Sequence, residues 1–310
     1  MKRILYFIAT VICSSLLTLL FVRAASSPDG LFTFFNPNAS QTTTTSLPNQ
    51  HVNAPKIPAT LSFAGEKVPL DDIEIRERLD NELIVNSYKH SATILMIKRA
   101  NRFFPIIEKI LAENNIPDDF KYLCMAESGL ENVVSSAGAS GYWQFMKSTA
   151  PIYGLVVNSE VDERYDIEKS TIAACKYLTS AKASNGSWTN AAAGYNMGIN
   201  GINNQANKQG DSDYYNLFLN SETSRYIFRI LALKVIYENQ QKYGFYLDKD
   251  DLYEPYPIRE TIAVDGYVDW VTFAQNNNTS YKMIRRMNPW IRDPKLYNKE
   301  RRTYQVKIAK

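Results

Sequence analysis

The residues with the greatest chemical promise stand close together. Glu127 closes an apolar segment (Phe120, Tyr122, Leu123, Met125) and is followed by Ser128 and Gly129. A run of small residues from Ser135 to Gly141 comes next, and then Tyr142, Trp143 and Gln144. The pattern predicts a helix that delivers one carboxylate at its C-terminal end. It also predicts a tight loop, for which Gly138 and Gly141 supply the backbone freedom. Apolar walls raise a carboxyl pKa toward neutrality, which suits a general acid. Breaking a glycosidic bond needs such a proton on the leaving oxygen and a means of capturing the oxocarbenium-like centre. Many hydrolases meet the second need with another Asp or Glu. Here the nearest acid is Glu131, expected to be exposed beyond the break at Gly129, and the segment 132–153 has no carboxylate. A single-carboxylate mechanism fits that absence. Most of the 32 acidic residues must be ordinary solvated groups, so Glu127 draws its weight from its companions.

Those companions extend down the chain. Ala192-Ala193-Gly194-Tyr195-Asn196-Met197-Gly198 and Ser224-Arg225-Tyr226-Ile227 follow Glu127-Ser128 and Gly141-Tyr142-Trp143-Gln144 in a fixed order. Over about residues 101–237 this order resembles the lytic murein transglycosylases with a goose-type-lysozyme-like (SLT) domain, in the branch of the membrane-bound transglycosylase D. The resemblance implies that Glu127 acts first as acid and then as base on the muramoyl C6 hydroxyl, which closes a 1,6-anhydro ring without water. It implies that Ser128 orients the carboxylate or the helix end, and that Gln144 binds a sugar substituent or shapes the groove. It places the Tyr195 hydroxyl near the acid or the anomeric centre, Asn196 on an N-acetyl group and Tyr226 in the groove. Tyr142 and Trp143 are expected either to stack on sugar faces or to belong to the core. The segment between Ser128 and Trp143 is shorter than in many relatives and lacks their proline, and Gly194 stands for a common alanine. These departures bear on loop shape and subsite preference. Two rival readings are a muramidase-type hydrolase of the same fold and a non-catalytic peptidoglycan-binding envelope protein.

The elements that must position these residues read as helices. Asp71-Asp72 open a long one, with Ile73, Leu79, Leu83 and Val85 as an apolar stripe. Pro105 and Pro117 are both read as helix starts. A further helix is expected from Ser148, a polar segment over 158–165, and Asp166 as the N-cap of a helix over 167–178. Trp188 to Tyr195 is predicted helical, residues 198–203 a polar loop, and Ser221 to Tyr243 the last helix of the head. The fold class is mainly α: a lysozyme-like all-helical catalytic domain over 70–247 with a small α+β module over 248–310. In that module a strand at 261–264, two short helices and a strand at 303–308 resemble LysM, which binds N-acetylglucosamine chains; a structural cap on the head is the other reading.

Composition sets the outer limits. The chain has 310 residues, 45% apolar and 22% charged, with net charge +3, two histidines and three cysteines. That charge gives no case for nucleic acid. No metal-ligand spacing and no nucleotide fingerprint is present, so no metal or cofactor is expected. Cys124 and Cys175 fall on inward helix faces, either as a disulfide or as two buried thiols. Lys2 and Arg3 precede an apolar run to Val22, which predicts a signal peptide or a retained membrane anchor over 1–25. Residues 26–69, rich in Thr and Pro, are expected to form a flexible tether. The protein is thus expected to be exported, periplasmic and in some form membrane-associated. Its expected partners are peptidoglycan glycan strands and, through the N-terminal segment, a membrane; its oligomeric state is not predicted.

Overall fold

The computed structural model describes residues 53–310. The signal or anchor segment, Cys13 and most of the tether lie outside the described residues. Among the described residues no helix is long and apolar enough to cross a membrane. They contain nine α-helices and six short strands.

Helix α1 spans Ile73–Tyr88 and starts where the Asp72 carboxylate accepts the backbone N–H of Glu74 (2.8 Å) and Ile75 (3.2 Å), a cap that satisfies otherwise orphaned donors. Its buried stripe is Ile75, Leu79 and Leu83, while Ile73 is 76% exposed. The inward face is therefore displaced from the expected one. Helix α2 spans His90–Glu113 and carries Pro105 in its interior. The expected helix start at Pro105 is thus wrong. An internal proline costs about 3 kcal/mol. Phe104, Ile107, Ile110 and Leu111 are buried around it, and each such side chain contributes about 1.5–3 kcal/mol, enough to keep the helix in one piece.

Pro117 does precede a helix. Three successive turns, Phe120 N–H to Pro117 O, Lys121 N–H to Asp118 O and Tyr122 N–H to Asp119 O, lead into α3, Phe120–Ser128. Every residue from Phe120 to Met125 is buried, as befits a helix surrounded on all sides. Helix α4, Ile167–Asn185, is capped by Asp166. Helices α5, Trp188–Met197, α6, Ile199–Gln209, and α7, Ser221–Glu238, complete the head. Helix α7 packs on α1 and α3, and α4 packs on α2 and α5.

Several expectations fail locally. Residues 199–203 begin α6 instead of forming a loop; Ile202 is the one buried side chain of that helix, so the apolar signal is a single residue. The helix expected from Ser148 is a 3-10 turn, Ala150–Tyr153. Residues 158–165 are not a solvated loop, since Val161 to Tyr165 are all buried. The end of the expected tether belongs to the head: β1, Ser62–Phe63, pairs with β2, Glu66–Lys67. Phe63 is fully buried and meets Phe120 edge-on at 5.2 Å. The Glu66 carboxylate accepts from the N–H groups of Trp188 (2.7 Å) and Thr189 (2.8 Å) at the start of α5.

The apolar interior divides in two. One core runs from Phe63 to Phe245. The second gathers Val268, Trp270, Trp290, Val306 and Ile308 of the C-terminal module, and it includes Val161 of the head. In the module β3, Ile258–Val264, pairs antiparallel with β6, Tyr304–Ala309, with Ile262 opposite Val306. Between them lie β4, Val268–Asp269, α8, Trp270–Asn276, α9, Tyr281–Met287, and β5, Lys295–Leu296, the expected strand, helix, helix, strand order.

Candidate active site

Glu127 is the penultimate residue of α3. The helix stops there because Gly129 takes φ 61° and returns its N–H to Met125 O at 2.8 Å, a left-handed C-cap that glycine adopts without a Cβ penalty. The Ser128 hydroxyl donates to Cys124 O (3.3 Å) and accepts from Leu130 N–H (3.1 Å). Of its two expected roles, the contacts are those of fastening the helix end.

The Glu127 carboxyl is partly buried, and the Tyr226 hydroxyl donates to its Oε1. Burial pushes its pKa up to about 6; the Tyr226 hydrogen bond and the Arg229 charge pull against that, and the Glu222 charge adds to it. Tyr226 is itself fully buried on α7. Tyr195 comes from α5. Its hydroxyl donates to Trp143 O at 2.8 Å, and its ring lies 4.9 Å from that of Tyr177. Burial, and then the Glu127 charge, hold the Tyr195 hydroxyl protonated far above the usual phenol range. The Cys124 thiol, one turn before Glu127, donates to Tyr142 O at 3.4 Å. Helices α3, α5 and α7 and the 142–143 backbone thus meet around one carboxyl. Glu131 is exposed and paired with Arg99.

The loop preceding Phe145 is built from its own polar groups. Gln144 takes φ 51°; a non-glycine residue in this region costs roughly 1–2 kcal/mol. Its side-chain amide donates to Gly141 O (2.7 Å) and Val133 O (3.1 Å). Gly141 is required outright, because a Cβ there would lie 1.9 Å from Arg164 O.

Two expected binding residues do not face a ligand. Trp143 is fully buried and its indole N–H donates to Thr171 Oγ1 at 2.8 Å. Tyr142 is 7% exposed and packs on Phe103 at 5.0 Å. Neither offers a face for a sugar, so the stacking role is withdrawn for both. Asn196 is engaged at both ends: its amide donates to Glu222 Oε1 (3.0 Å) and accepts from Thr223 Oγ1 (2.7 Å). That ties α5 to the first turn of α7.

Two neighbours escaped the reading of the sequence. Glu222 lies four residues before Tyr226, and Arg229 three after it, both on the face of α7 that carries Tyr226. Helical spacing around Tyr226 was the signal that could have found them. The Arg229 guanidinium lies 5.5 Å from the Tyr226 ring centre, and its Nε is buried without a hydrogen-bond partner. Cys124 and Cys175 are both free and buried.

A helical, lysozyme-like head built around one partly buried carboxyl, followed by a small strand-helix-helix-strand module, defines the class. Residues 104–218 match the family described as "Transglycosylase SLT domain". Residues 260–310 match the one described as "Soluble lytic transglycosylase C-terminal LysM-like domain". The chain therefore carries an SLT transglycosylase domain and a LysM-like C-terminal domain. Over 199 residues it is 30% identical to the membrane-bound lytic murein transglycosylase D of Escherichia coli strain K12, and to that of Escherichia coli O6:H1 strain CFT073. The aligned part is 61% of this chain and 43% of each relative, so the chain spans less than half the length of the relatives it matches.

Proposed function

We propose that this protein is a lytic transglycosylase of peptidoglycan. Glu127 in its acid form protonates the oxygen joining the muramoyl C1 to the next glucosamine, and that β-1,4 bond breaks. The resulting carboxylate then takes the proton of the muramoyl C6 hydroxyl, O6 bonds to C1, and a 1,6-anhydromuramoyl end is released. Tyr226 orients the carboxyl, and Tyr195 and Gln144 shape the loop beside it. Exported, periplasmic placement with an N-terminal membrane association accords with this substrate.

The observation that supports the reading most is the Glu127 carboxyl itself. It ends a buried helix, it carries a tyrosine hydroxyl on one oxygen, and burial raises its pKa to about 6. A group of that strength keeps a far larger protonated fraction near neutral pH than an ordinary carboxyl and can still serve as a base afterwards. One observation favours a hydrolase as second reading: Glu222 is a carboxylate close enough to raise the Glu127 pKa. Against it, Glu222 is held by Asn196.

Digestion of purified sacculi with mass analysis of the products tests both. Transglycosylation is expected to release muropeptides one water lighter than those of a lysozyme, and Glu127→Gln none. Reducing ends in place of anhydro ends, lost in Glu222→Gln, would establish the hydrolase. Binding to sacculi with no release would leave a non-catalytic envelope protein.

A further inference from the structure

The head segment 158–164 has no part in the chemistry above, yet it is bonded on both of its sides. On one side it is joined to the C-terminal module. Val161 is 1% exposed and belongs to the module's core. Asp162 N–H donates to Trp290 O, and Arg292 N–H to Glu160 O, each at 2.8 Å. The Glu160 carboxylate accepts from the N–H groups of Tyr297 (2.8 Å) and Asn298 (3.3 Å). The connection between α9 and β6 is thereby tied to the head at Trp290, Arg292, Tyr297 and Asn298.

On its other side the same segment holds the loop beside Glu127. Arg164 and Asp162 are both buried and form a two-pronged pair, at 2.9 and 2.7 Å. The remaining guanidinium nitrogen donates to Phe145 O (3.1 Å) and Gly138 O (3.4 Å). The Arg164 carbonyl fills the space left by the missing side chain of Gly141. The loop pinned in this way accepts hydrogen bonds from Cys124 and Tyr195 through its Tyr142 and Trp143 carbonyls. Both donors feel the Glu127 charge.

We infer that Arg164 is a positioning residue for the reaction and that the C-terminal module is part of the catalytic unit. The module fixes the corner 160–164, and Arg164 transmits that placement to loop 138–145 against Glu127. The catalytic half of this inference rests on the transglycosylase reading; the mechanical half does not. It assigns the module a task apart from glycan capture, because part of its α9–β6 connection is bonded to the head.

The test uses the full chain. Glu160→Ala removes the acceptor for two module amides and touches no residue of the site. Hydrogen exchange then reads the amides of Ser140 and Gly141, which bond to Phe145 O and Val133 O. They are expected to exchange about tenfold or more faster, and by a clearly larger factor than the amide of Leu79 in α1, which reports unfolding of the whole molecule. Turnover on sacculi is expected to fall several-fold in kcat with little change in KM. Arg164→Lys, which keeps the charge, is expected to retain more activity than Arg164→Met. Unchanged exchange at Ser140 and Gly141 would overturn the inference. So would equal acceleration at Leu79, or a loss confined to KM with weakened sacculus binding. Should the wild type release no anhydro ends, the transglycosylase reading falls while the exchange result still decides the mechanical coupling.

Discussion

At the scale of the residue, the Glu127 carboxyl couples activity to stability through one proton. Burial raises its pKa from an ordinary 4.5 to about 6. A donor must hold its proton, so the rate on sacculi is expected to fall as pH rises through about 6. The same shift acts on stability with a definite sign. Between 4.5 and 6 the folded state binds more protons at this site than the unfolded state, so stability drops as pH rises through that window. The loss is complete above it and amounts to about 2 kcal/mol. Glu127→Gln, which keeps the shape and still accepts from Tyr226, is therefore expected to melt higher than the wild type at pH 7.5. The difference should vanish at pH 4. Calorimetry at the two pH values decides; a variant less stable than wild type at pH 7.5 contradicts the burial argument. Tyr226→Phe works the other way on the proton. It removes a hydrogen bond that favours the charged carboxylate, so the alkaline limb of the pH profile should move above that of the wild type while kcat falls roughly 10- to 100-fold from lost orientation. The ordered motifs placed Tyr226 only in the groove and the Tyr195 hydroxyl near the acid; in the structure it is Tyr226 that bonds to Glu127, while Tyr195 donates to Trp143 O. The nearness of Glu222 and Arg229 was not legible, because neither residue type is unusual on a helix surface and only the packing of α7 on α3 brings them to the carboxyl.

At the scale of the element, the helices that carry regular apolar spacing or a clear cap were legible, and those decided by packing were not. Asp72, Asp166 and the Pro117 turn announce their helices locally. Pro105 reads as a start, because nothing local records the burial of Phe104 and Ile107 that carries α2 through it. Helix α6 buries a single side chain and so leaves almost no periodic trace. The hairpin at 62–67 was hidden by the Thr- and Pro-rich composition before it, although Phe63, Val68 and Leu70 are core residues. Aromatic residues after a small-residue loop pose the same problem at the site: a platform for sugar and a plug for the core have the same sequence. Trp143 is the plug. Trp143→Ala should destabilise the head by about 3–5 kcal/mol in denaturant unfolding. A variant of wild-type stability that merely binds sacculi less well would show that Trp143 reaches the glycan after all. Gly141→Ala, which drives a Cβ onto the Arg164 carbonyl, should cost more than about 1 kcal/mol and disturb the same loop.

At the scale of the whole molecule, the head and the C-terminal module do not read as independent bodies, even though each has its own core. Val161 of the head completes the module's interior. Tyr256, just before β3 in the module, accepts hydrogen bonds from Arg102 of α2 (3.1 Å) and Arg286 of α9 (3.0 Å). Both guanidinium groups also lie against its ring, at 4.2 and 5.1 Å from the centre. Lys307 of β6 reaches Glu168 at the start of α4, at 2.7 Å. A small module of two two-stranded sheets and two short helices has little area to bury by itself, and part of its core is borrowed. It should therefore unfold with the head in one transition. The four tryptophans divide two and two: Trp143 and Trp188 lie in the head, Trp270 and Trp290 in the module. Fluorotryptophan labelling gives each a separate NMR signal, and all four are expected to lose native intensity at one denaturant midpoint. Tyr256→Ala removes the cation–π clasp and should lower that shared midpoint by about 1–2 kcal/mol without dividing it. If the Trp270 and Trp290 signals instead disappear first, with Trp143 and Trp188 intact, the module is a separate folding unit and the borrowed core contributes nothing to its cohesion.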